Sequence, residues 1–276
     1  MSRDTDKVFE TPRPVQLYVE IGRGHVVIDA HDSTQTKVEV TGERSADVLV
    51  EQQGDTISVL APKLGTGFRR EPSLNVTVTV PSGSDLAVRT GSAPIAASGS
   101  FGGTRLKSGS GDIEVDSVGS SAVIETGSGD VTIGLIREEA RVRSGSGHVR
   151  ITETQGGAAI SVGSGDIEID RTAGAIAVKT GSGSLQVATA DGDVALSTGS
   201  GDAAIQRLNR GKFSVKGASG DVTVGVPPGV PVWTDISTIS GQVRSDLVGA
   251  GQPTEDQEFI ELRLKTVSGN ITLNQL

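Results

Sequence analysis

The chain has 276 residues, a formal net charge of −9, 38 Gly, 3% aromatic residues and no Cys. The acidic balance excludes nucleic acid and anionic membrane as main partners, since both demand a basic footprint. The lack of Cys excludes disulfides, thiolate metal sites and a Cys nucleophile. With so few aromatic residues, the core must be built from Val, Ile, Leu and Ala.

The chain opens Met1-Ser2-Arg3-Asp4-Thr5-Asp6-Lys7, with no apolar segment and no cleavage pattern of a signal peptide. Residues 1–9 are expected to be disordered. No stretch reaches the roughly 18 apolar residues that a spanning helix needs. The expected location is cytoplasmic, with no membrane span.

Residues 10–82 alternate in the manner of strands. Val15, Leu17, Val19 and Ile21 are followed by Val26/Ile28, Val38/Val40, Val48/Val50, Ile57/Val59 and Val76/Val78/Val80. The spacing of two is strand periodicity. Ile21-Gly22-Arg23-Gly24-His25-Val26-Val27-Ile28 is a degenerate copy of a motif that rules the rest of the chain. This part is expected to form an irregular N-terminal cap and the first degenerate rungs, because terminal units of repeat arrays are atypical.

Residues 83–225 repeat with a period of 18. A small residue falls at Ala93, Gly111, Gly129, Gly147, Gly165, Gly183 and Gly201, with six equal gaps of 18. Around it the text reads Thr/Ser-Gly-Ser-Gly-Asp-apolar-x-apolar, as in Thr126-Gly127-Ser128-Gly129-Asp130-Val131-Thr132-Ile133. Five positions earlier stands an unbroken apolar column: Val88, Leu106, Ile124, Val142, Ile160, Val178 and Leu196. Each rung then reads strand, glycine bend, strand, polar turn. The predicted fold is all-β: a single-chain parallel β-solenoid (β-helix) with 18-residue two-strand rungs, its like residues stacked at about 4.8 Å per rung. An antiparallel meander or propeller with hairpin turns is the competing arrangement. Residues 10–276 are expected to form one domain, and no segment carries a helical period.

The column after the small residue contains Asp112, Asp130, Asp166, Asp202 and Asp221, interrupted by His148 and Ser184. As a ladder of Ca²⁺ sites it lacks the second carboxylate a Ca²⁺ shell requires. The expected role is structural, each Asp bonding its own backbone to pin the bend. The three His, at 25, 31 and 148, form no constellation with a nucleophile. Gly-Ser-Gly without Gly-Lys-Ser/Thr before a helix is no phosphate loop. No cofactor and no small-molecule substrate are indicated, and the chain is not expected to be an enzyme.

The period breaks in residues 226–276. One insertion carries Pro231 and Trp233, the only Trp; another runs from Ser245 to Glu261. Insertions in repeat arrays often form the binding face. The text then ends Asn270-Ile271-Thr272-Leu273-Asn274-Gln275-Leu276, within a strand that nothing blunts. Pro231, Trp233, Leu273 and Leu276 are therefore the partner-binding candidates. The expected partner is another protein, or a second copy through the C-terminal edge.

The Thr-Gly-Ser-Gly-Asp-Val/Ile-x-Val/Ile rungs, preceded by Val76-Thr77-Val78-Thr79-Val80-Pro81-Ser82-Gly83-Ser84-Asp85-Leu86, resemble the bacterial β-strand-repeat family labelled "putative adhesin", domain of unknown function 4097. The resemblance covers roughly residues 10 to 276. It implies an adhesin-like scaffold or protein-interaction module and brings no catalytic residues. A self-assembling polymer resembling the bactofilin cytoskeleton is the alternative. A carbohydrate-active or Ca²⁺-binding solenoid ranks below both, because one Trp and one Tyr make a poor sugar platform.

Overall fold

Nearly every strand buries alternate residues, as period-two segments such as Ala140-Arg141-Val142-Arg143-Ser144 demand. This computed structural model describes residues 5–62, 71–249 and 258–276. They fall into two units, residues 1–139 and 140–276.

In the first unit the strands are β1 Thr5–Glu10, β2 Gln16–Ile21, β3 Arg23–His31, β4 Gln35–Gly42, β5 Leu49–Gln53, β6 Thr56–Leu60 and β7 Ser73–Pro81. They continue as β8 Asp85–Thr90, β9 Ile95–Phe101, β10 Thr104–Ser108, β11 Ile113–Val118, β12 Ala122–Thr126 and β13 Val131–Ile136. A 3₁₀ turn at Ser45–Asp47 is the one helical element among the described residues. One sheet runs β1-β4-β7-β3-β9-β11-β13 and the other β12-β10-β8-β2-β6-β5. Consecutive strands do not pair as hairpins through the repeat. β10 lies parallel between β8 and β12, so Leu106 stands between Val88 and Ile124, each 18 residues away. The other sheet sets Ile113 beside Val131 and Val115 beside Ile133. All seven side chains are at most 1% exposed. Stacking of like residues thus builds the apolar interior, each buried side chain contributing about 1.5–3 kcal/mol.

Two features of this unit differ from the sequence expectation. Residues 5–9, expected to be disordered, belong to β1, which pairs antiparallel with β4. The backbone ladder and the bond from Lys7 Nζ to the Val50 carbonyl hold it, since Val8 itself stays exposed. The strands also do not stack in chain order. β2 sits between β8 and β6, and β3 between β9 and β7. The antiparallel strands β4, β1 and β5 then complete the two sheets.

The second unit contains β14 Ala140–Ser144, β15 Val149–Thr154, β16 Ala158–Ser164, β17 Ile167–Thr172, β18 Ile176–Ser182, β19 Leu185–Ala190 and β20 Val194–Ser200. It ends with β21 Ala203–Leu208, β22 Gly211–Ser219, β23 Val222–Val226, β24 Val232–Ser240, β25 Val243–Ser245, β26 Ile260–Ser268 and β27 Ile271–Gln275. One sheet runs β14-β16-β18-β20-β22-β26-β24 and the other β15-β17-β19-β21-β23-β27-β25. The order again departs from the chain. β26 and β27, the last strands, insert between β22/β23 and β24/β25. The C-terminal strand is therefore not an edge.

The glycine bend takes two forms. At β10 and β12 the hydroxyls of Ser108 and Thr126 accept the N–H of Gly111 and Gly129, at 2.8 and 3.0 Å. In the second unit Ser144 does the same for Gly147 at 2.9 Å. The next repeat has Val162 at this position, which offers no acceptor. There the strand runs on to Ser164, and the Gly165 N–H bonds the Ser182 carbonyl instead. Gly165, Gly183 and Gly201 now adopt φ of 146°, 150° and 150°, which favours glycine. In-register pairing carries the longer strand through β18 and β20, with Ser164, Ser182 and Ser200 side by side. The hydroxyls of Thr180 and Thr198 are consequently buried without a hydrogen-bond partner.

Candidate interaction surface

The Asp column forms a ladder between repeats. Asp112 Oδ1 accepts the Asp130 N–H at 2.9 Å. In the second unit Asp166 Oδ1 accepts from Ser184 N–H, Asp202 Oδ1 from Asp221 N–H and Asp221 Oδ1 from Asn270 N–H, at 2.8, 2.8 and 2.7 Å. The expectation of an Asp bonding its own backbone is corrected: the acceptor serves the N–H stacked beside it. The same backbone N–H therefore finds an acceptor on whatever side chain occupies the column. His148 Nδ1 accepts from Asp166 N–H at 3.1 Å, and Ser184 Oγ from Asp202 N–H at 3.3 Å. Among the described residues, no three His, Asp or Glu side chains gather in a way that could hold a metal ion.

A shallow groove crosses the outer face of β2, β8, β10 and β12, lined by Tyr18, Arg89, Arg105, Lys107 and Glu125. Lys107 pairs with Glu125 at 3.1 Å. The Tyr18 hydroxyl donates to the Glu20 carboxylate. That bond, reinforced by partial burial and by the Glu20 charge, raises the phenol above its usual pKa, while Arg89 pulls it down. Ala87, Val88, Leu106 and Val123 complete the lining of the groove.

The end of the second unit is different. Among the described residues, β24 has a ladder partner on one side only, β26, and β25 likewise has only β27. No strand among the described residues pairs with their other sides, and an edge of this kind is a template for another strand. The inward residues Val232, Thr234 and Ile236 of β24 line a cavity of about 640 Å³ with Val243, Leu247, Val248 and, at its floor, Leu273. The two sheets thus face each other here across an interior left open. Of the ten large apolar residues exposed among the described residues, seven lie between Trp233 and Leu276. Exposed apolar residues that form one contiguous patch characterise interaction surfaces, whereas single ones need no explanation.

Each partner-binding candidate has a definite place. Trp233 is half exposed on the outer face of β24, with the Arg263 guanidinium 5.5 Å from its ring centre. Leu276 is half exposed, and its N–H bonds the Val226 carbonyl at 3.0 Å. Pro231 is buried and its carbonyl accepts the Ile260 N–H at 2.9 Å. Leu273 is 3% exposed, because β27 lies between β23 and β25. Pro231 and Leu273 therefore serve the interior. Residues 250–257 of the second insertion lie outside the described residues.

Sequence reasoning missed Ile239, Val243 and Val248. The signal for Ile239 was present in the repeat. The register places it in one outward column with Gly163, Gly181, Gly199, Ala218 and Val267. Glycine is required in the early repeats, where a Cβ on Gly181 would come within 2.7 Å of the Gly163 carbonyl oxygen. The column then grows to Val267 and to Ile239, which is 83% exposed.

The described strands define an all-β repeat protein of two mainly parallel sheets, with an apolar, unpaired end. The model of the Toastrack DUF4097 family matches residues 16–190 and again 170–275, so the chain belongs to that family. No curated protein sequence matches it significantly. Among solved structures, a "putative adhesin" from Bacteroides fragilis is similar at 14% identity, over 99% of this chain and 98% of that one, with a TM-score of 0.38. One of the same description from Parabacteroides merdae is 14% identical over 81% and 96%, with a TM-score of 0.39. A "putative lipid binding protein" from Parabacteroides distasonis is 14% identical over 99% and 96%, with a TM-score of 0.31.

Proposed function

We propose that the chain is a non-catalytic β-solenoid scaffold, with 18-residue two-strand rungs and an irregular N-terminal cap, that acts as an adhesin-like protein-interaction module. The observation that carries this reading is the end formed by β24 and β25, where free strand edges, an open apolar interior and the half-exposed Trp233 coincide. An added strand would gain main-chain hydrogen bonds along β24, with side-chain pockets supplying specificity. Outward residues elsewhere in the repeat include ion pairs such as Arg150 and Glu168 at 2.6 Å.

A photoreactive residue in place of Trp233, compared in living cells with one at Ala177 on the outer face of β18, tests the reading. Cross-linking to polypeptide at position 233 and not at 177 is expected. Cross-linking only at 177, or at neither position, would remove the β24 end as the interaction surface.

A further inference from the structure

We propose that the partner of the β24 end is a second copy of this chain, paired antiparallel through β24 about a two-fold axis at Ile236. The proposal rests on the interaction-module reading and names its partner.

β24 is nine residues long and Ile236 is its centre. Antiparallel pairing of two identical strands about the central residue sets Trp233 against the copy's Ile239, Thr234 against Thr238, and Asp235 against Ser237. Two aromatic–aliphatic pairs then form on the outer face, from two residues that are otherwise exposed there. Pairs of this type stabilise sheets, whereas like charges directly opposite destabilise them. No such clash arises. Asp235 is the only charged residue of the strand, and Lys265 already neutralises it at 3.1 Å. On the inner face Ile236 meets its own copy. The apolar lining of the open interior, Val232, Val243, Leu247 and Val248, closes against the same lining of the copy. A foreign partner would have to bring both a bare strand edge and an apolar plug of matching outline. A second copy brings both.

The contact closes after two chains. The outermost strands of the first unit, β1 and β5, carry Asp6, Lys7, Glu10 and Glu51 along their edges. Edge charges of this kind oppose further strand pairing. Head-to-tail stacking of β24 onto β1 or β5 is thereby disfavoured, which leaves the self-complementary two-fold contact.

The chain has no Cys, so an introduced one reports alone. Light scattering on the purified full chain over a concentration series should show a mass rising to twice 28.2 kDa and stopping there. Ile239→Lys, at an exposed site, should return the mass to 28.2 kDa with an unchanged circular dichroism spectrum. Ile236→Cys should form an intermolecular disulfide under mild oxidation, and Ala177→Cys should not. Should Ile236→Cys fold poorly, the Trp233→Cys/Ile239→Cys variant tests the same register and should form two intermolecular bonds. A strict monomer, a mass that grows beyond two chains, or a dimer indifferent to Ile239→Lys and to the cysteine positions would overturn the proposal. A monomer that still cross-links through position 233 in cells would leave the interaction-module reading standing with a different partner.

Discussion

Thr126 and Thr198 occupy the same position in the repeat, yet their hydroxyls have opposite roles. Thr126 accepts the Gly129 N–H at 3.0 Å, while Thr198 has no partner. The near-isosteric change to Val should therefore act with opposite sign. Thr126→Val leaves a buried N–H without its acceptor and should cost about 1–2 kcal/mol. Thr198→Val or Thr180→Val removes an unsatisfied buried hydroxyl and should stabilise by about 1 kcal/mol. Denaturant melts of the variants read both signs, and a loss of stability in all of them would refute the two-bend account. The Thr column was legible in the sequence, but its split was not. It hinges on Val162, one missing hydroxyl whose effect passes to the next two repeats through the in-register ladder. The Asp column was likewise legible, while its partner was not, because the period places the next Asp nearby without saying that its backbone N–H points at the carboxylate. Asp202→Asn keeps Oδ1 as acceptor for Asp221 N–H and should be close to neutral. Asp202→Ala should lose about 0.5–1.5 kcal/mol. Ca²⁺ should change neither melt; a rise in the wild-type midpoint with Ca²⁺ would show that the column binds cations after all.

At the scale of elements, the strands and their buried faces could be read directly. Leu106, Ile124, Val142 and Ile160 lie in one apolar column of the sequence, and all are at most 1% exposed. The order of strands at the ends could not be read. Apolar columns say that two strands are compatible neighbours, and any strand with the same alternation fits the same gap. A connection long enough to reach past one repeat, such as residues 246–259 before β26, leaves the order to packing. Thus β27 looks like a terminal edge in the text and is an interior strand in the fold. Leu273→Asp and Leu276→Asp separate the two arrangements. The first buries a charge between β23 and β25 and should cost several kcal/mol, whereas the second alters a half-exposed residue and should stay within about 0.5 kcal/mol. Equal, small effects would mean that the last strand lies at an edge. The strand β1 escaped the sequence reading for a related reason. Its bonds are mostly backbone bonds to β4, which leave little hydrophobic trace.

On the scale of the whole chain, an interior strand of the repeat has a ladder neighbour on each side, so a strand edge is left to manage where the repeat stops. The first unit stops with antiparallel strands bearing charged residues. The second stops with β24 and β25, whose outward and inward positions are both apolar in part. That contrast carries the functional reading. Its most direct measurement is amide hydrogen exchange of the purified chain at low and at high protein concentration. Peptides covering Val232–Ser240 should exchange quickly when dilute and become protected when concentrated, while Ile176–Ser182 of β18 stays protected throughout. Exchange in β24 that is slow when dilute, or that never responds to concentration, would contradict the claim that this edge is where one copy meets another.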